Sequence, residues 1–362
     1  MGDGQKIRRG LVRRILGRKG SILSFLCVSV ITIVVSALMI LAVGSSIGDA
    51  LAGFFRGIFG SPYNTGEVLV RAAPLILAGL GVAVGFRTGF TNLGAEGQIY
   101  MGAIAITSLG LAAPSLPAFI MIPLTILGGF LFGGIWSLIP GFLKARFGIS
   151  EIINTIMFNY IAINLTGLLV RTLLKDPNYP YPMSPMLPPA AAFPVLLEPT
   201  RLHWGFPLAL LAAWCIYILV FRSPRGFEMR AVGLNSRAAL CAGISPYRNI
   251  VFSAFISGGL AGIAGVGEIA GLHHRLLEGI SPSFGYVAII VALLGRNHPA
   301  GVVISALGIA ALQIGSKSME RTGVPTAIAS VIMGLVVLLI LARKRLFASL
   351  LALDNDGKGG KN

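Results

Sequence analysis

The chain has 362 residues, of which 55% are hydrophobic and only 12% charged, with a mean hydropathy of +0.83 and a formal net charge of +16. A water-soluble domain cannot hide that much apolar surface, which excludes an ordinary soluble enzyme or binding module. Nor does the positive balance indicate nucleic-acid binding, because the basic residues sit at the ends of long uncharged runs and not on one aromatic-rich face.

In chain order, a basic segment (residues 1–20) precedes the first uncharged run, Ile22 to Val43, which has the length that a roughly 30 Å hydrocarbon core requires. No small-residue cleavage site follows it, so it reads as an uncleaved first span. Ala72 to Phe86, between Arg71 and Arg87, is short for a crossing and needs tilted or snorkelling flanks. Gly97 to Leu143 is too long for one helix, and Pro114-Ser115-Leu116-Pro117 divides it into two spans. Six further runs follow: Ile152 to Val170, Leu202 to Phe221, Ile250 to Gly267, Gly279 to Gly295, Asn297 to Ser316 and Thr322 to Ala342. The expected fold is all-α, a polytopic transmembrane helix bundle of about ten helices over residues 21–346, with a polar tail over 347–362. If the N-terminus is cytoplasmic, 21 of the 29 Lys and Arg fall in inside segments, which predicts that both termini are cytoplasmic.

Two connections are long. The external loop 171–203 carries eight prolines and reads as extended or turn-rich, either a passive connector or a docking surface for an external partner. The basic cytoplasmic loop 222–248 contains a compact helix signal: Asn235 as N-cap, Ser236 to Ala242 as about two turns, and Gly243 where a left-handed residue ends a helix. Glycines four apart, at Gly81 and Gly85, Gly129 and Gly133, and Gly258 and Gly262, predict close helix packing in lipid. Cys27, Cys215 and Cys241 lie far apart and read as small apolar fillers, with no metal-ligand spacing.

No phosphate-binding G-x-x-x-x-G-K-[ST] loop and no catalytic constellation occurs, so the chain is not expected to be an enzyme or to hold a cofactor; any ATP used in transport is bound by a partner. His273 and His274 read as a solvated pair at an external helix end. Polar groups at membrane depth are costly and mark paths or packing contacts, which makes Asn92, Glu96, Gln98, Asn154, Asn159 and Gln313 the substrate-path candidates. The segment Thr91 to Gln98 is either a re-entrant or broken-helix element lining a cavity or a plain cytoplasmic turn. Asn154, Asn159 and Asn164, five apart, do not share one helix stripe, and at least one is expected to make an interhelical hydrogen bond. Glu67, Glu151 and Glu268 are near span ends and read as interfacial.

Three segments are similar to a known family: Asn92-Leu93-Gly94-Ala95-Glu96-Gly97-Gln98-Ile99-Tyr100-Met101-Gly102-Ala103; Glu228 to Ala239 with Ala242-Gly243-Ile244; and Val291-Ala292-Leu293-Leu294-Gly295-Arg296-Asn297-His298-Pro299. They resemble the permease subunits of ATP-binding-cassette importers of the ribose and branched-chain amino acid class, in the nucleoside and simple-sugar branch. The resemblance covers most of the chain after the first span. It implies a bacterial plasma (inner) membrane protein that works with a cytoplasmic ATPase, a second permease subunit, identical or related, and an external substrate-binding protein that delivers a small polar substrate. It also implies that Asn235 to Ala242 is a coupling helix. Glu228, Arg230, Ala231, Gly233, Asn235, Ala238, Ala239, Gly243 and Ile244 are then the ATPase-coupling residues, with Leu234 standing where the family segment has a polar residue. The alternative is an ion- or proton-coupled secondary transporter working alone, with Glu96 as its titratable group.

Overall fold

The computed structural model describes residues 30–338, apart from 32, 43, 326 and 336. The basic N-terminal segment and the polar tail lie outside the described residues, as do much of the first and part of the last expected spans. Among the described residues there is no β-strand. The elements are helices α1 (Ile33–Ala42), α2 (Ile47–Phe59), α3 (Pro62–Thr88), α4 (Ala95–Ala112), α5 (Ala118–Phe147), α6 (Glu151–Arg171), α7 (Gly205–Arg222), α8 (Pro224–Leu234), α9 (Ser236–Cys241), α10 (Pro246–Glu268), α11 (Phe284–Leu294), α12 (Pro299–Met319) and a last helix over residues 327–335. Contacts divide the described residues into one compact unit, those up to 58 together with those from 312 on, and another of residues 59–311.

In the first unit, α1 and α2 meet at 113°. Ile40, Ala50, Met319 and Val324 form its core, with Phe54 and Ile332 packed on them. Gly315 faces the Phe54 ring and Gly57 faces Ser318, so small residues again admit a close neighbour.

In the second unit, α3 begins where Ser61 Oγ accepts the Asn64 N–H (3.2 Å) ahead of Pro62, and it ends at Gly89, φ +80°. Its 27 residues span about 40 Å, so the short apolar run Ala72 to Phe86 is only the middle of a full-length helix. The turns before it carry Glu67, paired with Arg201, and Arg71, which lies over the Phe284 ring. From Ala72 to Gly85 every residue of α3 is buried, making it a central helix.

The predicted glycine pairs explain the packing of α4, α5 and α10. A side chain on Gly129 or Gly133 of α5 would run into the α10 backbone or Val266, and one on Gly258 or Gly262 of α10 would strike the α5 backbone. Gly102 of α4 approaches Gly262, and Gly265 approaches Ile99, so α10 is held tightly against both α4 and α5. The pair Gly81 and Gly85 behaves differently: Gly81 meets α10 at Ser257, while Gly85 meets the loop at Phe90.

Among the described residues six helices are long and apolar enough to cross a membrane: Pro62–Thr88, Ala118–Phe147, Glu151–Arg171, Gly205–Arg222, Pro246–His273 and Pro299–Thr322; the bent pair α1 and α2 makes a seventh if it is one span. Two expected spans depart from the count. In α4, Glu96 and Gln98 occupy the first turn and the helix is buried within the protein over Ala95 to Thr107. The run Gly279 to Gly295 contains only the 11-residue α11, about 16 Å long, preceded by irregular chain. Two cysteines also depart from expectation, since Cys215 and Cys241 are both exposed; Cys27 lies outside the described residues.

Candidate functional site

Between α3 and α4 the chain leaves the helical path for six residues, 89–94, and a stripe on α6 fastens it. Glu151, Thr155 and Asn159 recur every four residues, so they share one face of α6. Glu151 Oε1 accepts the Thr91 N–H (3.2 Å), Thr155 Oγ1 accepts the Leu93 N–H (3.3 Å), and Asn159 donates to the Leu93 carbonyl (2.9 Å) while accepting the Gly97 N–H (2.8 Å). Lys144 of α5 adds a bond to the Gly89 carbonyl (2.6 Å) and an ion pair with Glu151. Within the loop, Asn92 Nδ2 donates to Gln98 Oε1 (2.9 Å) and Ser257 Oγ (2.8 Å), and Asn92 Oδ1 accepts from Gly94 N–H (2.8 Å) and Gln98 Nε2 (3.1 Å). Asn92, Gln98 and Asn159 are buried, and these bonds meet the requirement that buried amides be paired.

One turn further on, Glu96 is buried and its Oε2 accepts the Gly285 N–H at 2.7 Å. Gly285 is in the first turn of α11, so the carboxylate sits at the positive end of a half-helix that starts inside the protein. A side chain on Gly285 would overlap the Glu96 backbone, which is why this entry point has no Cβ. Ser281 Oγ caps the same end by accepting the Phe284 N–H (3.1 Å). Tyr286, on the next position, accepts from Asn159 through its hydroxyl (3.3 Å), joining α11 to the clamp. Beside Phe284 lies a second charged group, with the Arg71 guanidinium 4.6 Å from the ring centroid. Glu268 is 4% exposed and 3.8 Å from His273 Nε2, where α10 loosens into a π-turn over Ile269–His273. Glu268 is thus enclosed by protein and not interfacial, while His273, exposed beside the partly exposed His274, also faces this carboxylate. Glu67 and Glu151 keep the expected positions at helix ends, and the signal missed for Glu268 is a tertiary one.

The other candidates separate from this cluster. Asn154 is half-buried with an unpartnered Nδ2, Asn164 bonds back to its own helix at Tyr160 (2.8 Å), and Gln313 belongs to the other compact unit.

The expected loop helix forms as read. Asn235 Oδ1 accepts the Arg237 and Ala238 N–H groups (3.0 and 3.1 Å), and Gly243, φ +80°, closes α9 with Ile244 N–H bonded to the Ala239 carbonyl (2.9 Å). Preceding it is α8, unanticipated, which starts at the Ser223 cap with Pro224 in the first turn. The residues singled out here divide by exposure. Gly233, Asn235, Ala238 and Gly243 are exposed beside Leu234 and Leu240, whereas Ala239 is buried with Val232 against Phe90, and Ala231 and Ile244 pack on that cluster. Gly233 seats α8 directly on the α3 backbone at Arg87. Arg230 bonds the Val220 carbonyl and lies 5.5 Å from the Phe221 ring, which Arg87 (4.7 Å) and His298 (4.9 Å) also approach. Arg87 Nε further donates to the Asn297 carbonyl (2.6 Å), where Arg296 and Asn297 are both left-handed. The motif Val291 to Pro299 is therefore the α11–α12 turn, tied to α3, α7 and α8.

The proline-rich loop has one 3₁₀ turn, Pro189–Ala191, and further turns near both ends, and its middle lies across the π-turn and the chain after it. Phe193, Leu187 and Ser184 donate their N–H groups to the carbonyls of Ala270, His274 and Leu276. Bidentate pairs hold its two ends, Arg171 with Glu278 (2.9 and 3.0 Å) and Arg201 with Glu67 (2.8 and 2.5 Å). The Arg171 guanidinium holds the Glu278 carboxyl below its ordinary range, and the Glu67 carboxylate raises Arg201. Burial, aided by His274, pushes His203 down to about 4.

Residues 64–341 match the family described as the permease component of the branched-chain amino acid transport system. The chain belongs to this family. Similar proteins include the guanosine ABC transporter permease NupP of Bacillus subtilis, 38% identical over 88% of this chain and 93% of its own. The glucose ABC transporter permease TsgB13 of Haloferax volcanii is 35% identical over 81% and 80%, and the nucleoside ABC transporter permease NupB of Lactococcus lactis 32% over 84% and 86%. A transport permease component of this family with several apolar helices is a multi-pass membrane protein. The three segments behind the resemblance now have places: the first forms the α3–α4 clamp with the Glu96 cap, the second α8 and α9, and the third the α11–α12 turn.

Proposed function

We propose that the chain is the transmembrane permease subunit of an ATP-binding-cassette importer that carries a nucleoside or simple sugar. The observation that carries this reading is the α8–α9 pair: a capped helix with an exposed face, whose buried side rests on Phe90 in the same loop that holds Asn92. A push on α9 by a cytoplasmic ATPase would reach the α3–α4 loop through Ala239 and Phe90, and α3 itself through Gly233. Ten crossings with both ends cytoplasmic in a bacterial plasma membrane, a second permease subunit, and an external binding protein docking on the proline-rich loop complete the proposal. Glu96 and Asn159, with Tyr286, are the path residues it favours, since they join α4, α6 and α11; Asn92 and Gln98 saturate each other and hold the loop in position. The names of the relatives support the substrate class.

Uptake of labelled guanosine and of glucose into proteoliposomes tests this. Uptake of either is expected only with ATP, the partner ATPase and the external binding protein present. Uptake driven by a proton gradient with this chain alone would replace the importer by a secondary transporter.

A further inference from the structure

Where α5, α8 and the first turns of α10 meet, a cleft of about 420 Å³ is lined by Leu138, Val251, Phe252 and Phe255 along one part and by Arg225 and Arg248 at its mouth. A second hollow, about 380 Å³, shares Arg225, Arg248 and Asn249 as a common wall. Phe255 is braced edge-on by Phe130 (5.3 Å), and Tyr247 at the mouth by Phe142 (6.4 Å), so the apolar walls are held by α5. Along α10 the lining runs from Tyr247 to Phe255, a rise of about 12 Å from the helix end toward the hydrocarbon. Arg248 is exposed and makes no ion pair among the described residues, while Arg225 reaches Glu228 only at 3.6 Å.

We propose that this cleft binds one anionic phospholipid, with its phosphate on Arg248 and Arg225 and one acyl chain against Val251, Phe252 and Phe255. The amphipathic layout decides the occupant. A soluble phosphate compound has no use for the apolar walls Leu138, Val251, Phe252 and Phe255, whereas a lipid covers them with an acyl chain while its phosphate meets the arginines. Arginines at the end of a span face the headgroup layer, where each basic residue favours an anionic lipid severalfold, and apolar walls deeper down match a chain. The inference needs only that the chain resides in a membrane, and it is independent of the substrate and of the ATPase.

Native mass spectrometry of the purified full-length chain, titrated with phosphatidylglycerol and with phosphatidylcholine of the same acyl chains, tests it. One phosphatidylglycerol is expected to be retained in preference to phosphatidylcholine. Arg225→Gln with Arg248→Gln should lower its affinity about tenfold or more with phosphatidylcholine unaffected, and Arg248→Lys should restore much of the single-site loss, which separates charge from misfolding. Val251→Trp, which fills the groove and leaves the arginines in place, should weaken phosphatidylglycerol as well. Equal binding of the two lipids by the parent chain overturns the proposal. So does full displacement by glycerol phosphate with no effect of Val251→Trp, which would make this a soluble-phosphate site. If the arginine variants keep phosphatidylglycerol but lose association with an ATPase, the cleft is a protein interface and the lipid site falls.

Discussion

The imidazole of His203 is 3% exposed, and its Nδ1 accepts the N–H of Gly205 at 3.1 Å, at the entry to α7. An acceptor nitrogen must be unprotonated, so burial and hydrogen bonding favour the same neutral form. The folded histidine takes a proton only near pH 4, whereas an unfolded one takes it near 6.5. Between these values the unfolded state binds more protons and stability falls as pH falls, by up to about 3 kcal/mol. Thermal unfolding in detergent should show a lower midpoint at pH 4.5 than at pH 7. In His203→Asn, whose side-chain oxygen can accept the same N–H without titrating, that drop should shrink; an unchanged drop would assign it to other groups. A different residue-scale property was legible in advance. The four-residue glycine spacing foretold close packing because the helical repeat turns spacing into a face, but the partner of each face depends on tertiary contacts, and so Gly81 and Gly85 meet different neighbours. Likewise, Asn159 could not be told from Asn154 and Asn164 by spacing alone, since all three lie on one helix and only one faces the loop.

At the scale of elements, capping rules made α9 readable, because Asn235 and Gly243 act on their own neighbours. The companion α8 had an equally local signal in Ser223-Pro224 that was not used. The short α11 was unreadable by run length: an uncharged stretch does not show that Ser283 turns left-handed and starts the helix late. Nor did Glu96 disclose that it caps that helix, 189 residues away in sequence. Two predictions belong here. Glu96→Leu leaves the Gly285 N–H buried without an acceptor, a loss of about 1–3 kcal/mol, while Glu96→Gln keeps an acceptor oxygen. The leucine variant should melt clearly lower than the glutamine variant in detergent, and equal melting would remove the cap from the account. On the exposed face of α9, Ala238→Arg should leave folding and membrane insertion unchanged and reduce substrate-stimulated ATP hydrolysis by the assembled transporter at least tenfold. Normal stimulation would show that this face is not the ATPase contact.

At the scale of the whole molecule, composition shows a membrane protein, but it does not separate a helix that lipid surrounds from one that protein surrounds, and α4 belongs to the second kind. Orientation remains the property that charge predicts and the helices alone do not display. Cys241 makes it measurable, because its thiol is exposed on α9, whereas Cys215 lies at the middle of the 18-residue α7, far from aqueous reagents. In a chain with Cys27 and Cys215 replaced by serine, a charged, membrane-impermeant maleimide should label Cys241 in inside-out vesicles and not in intact spheroplasts. A second chain without native cysteines but with Leu197→Cys, an exposed position in the proline-rich loop, should give the opposite pattern. The two sites are read against each other, so poor reagent access at one cannot imitate inversion at both. Reciprocal labelling in the reverse sense would place α9 outside, where no ATPase could reach it. The basic ends of the spans would then face the external side, against the retention of basic residues in the cytoplasm that predicts the topology.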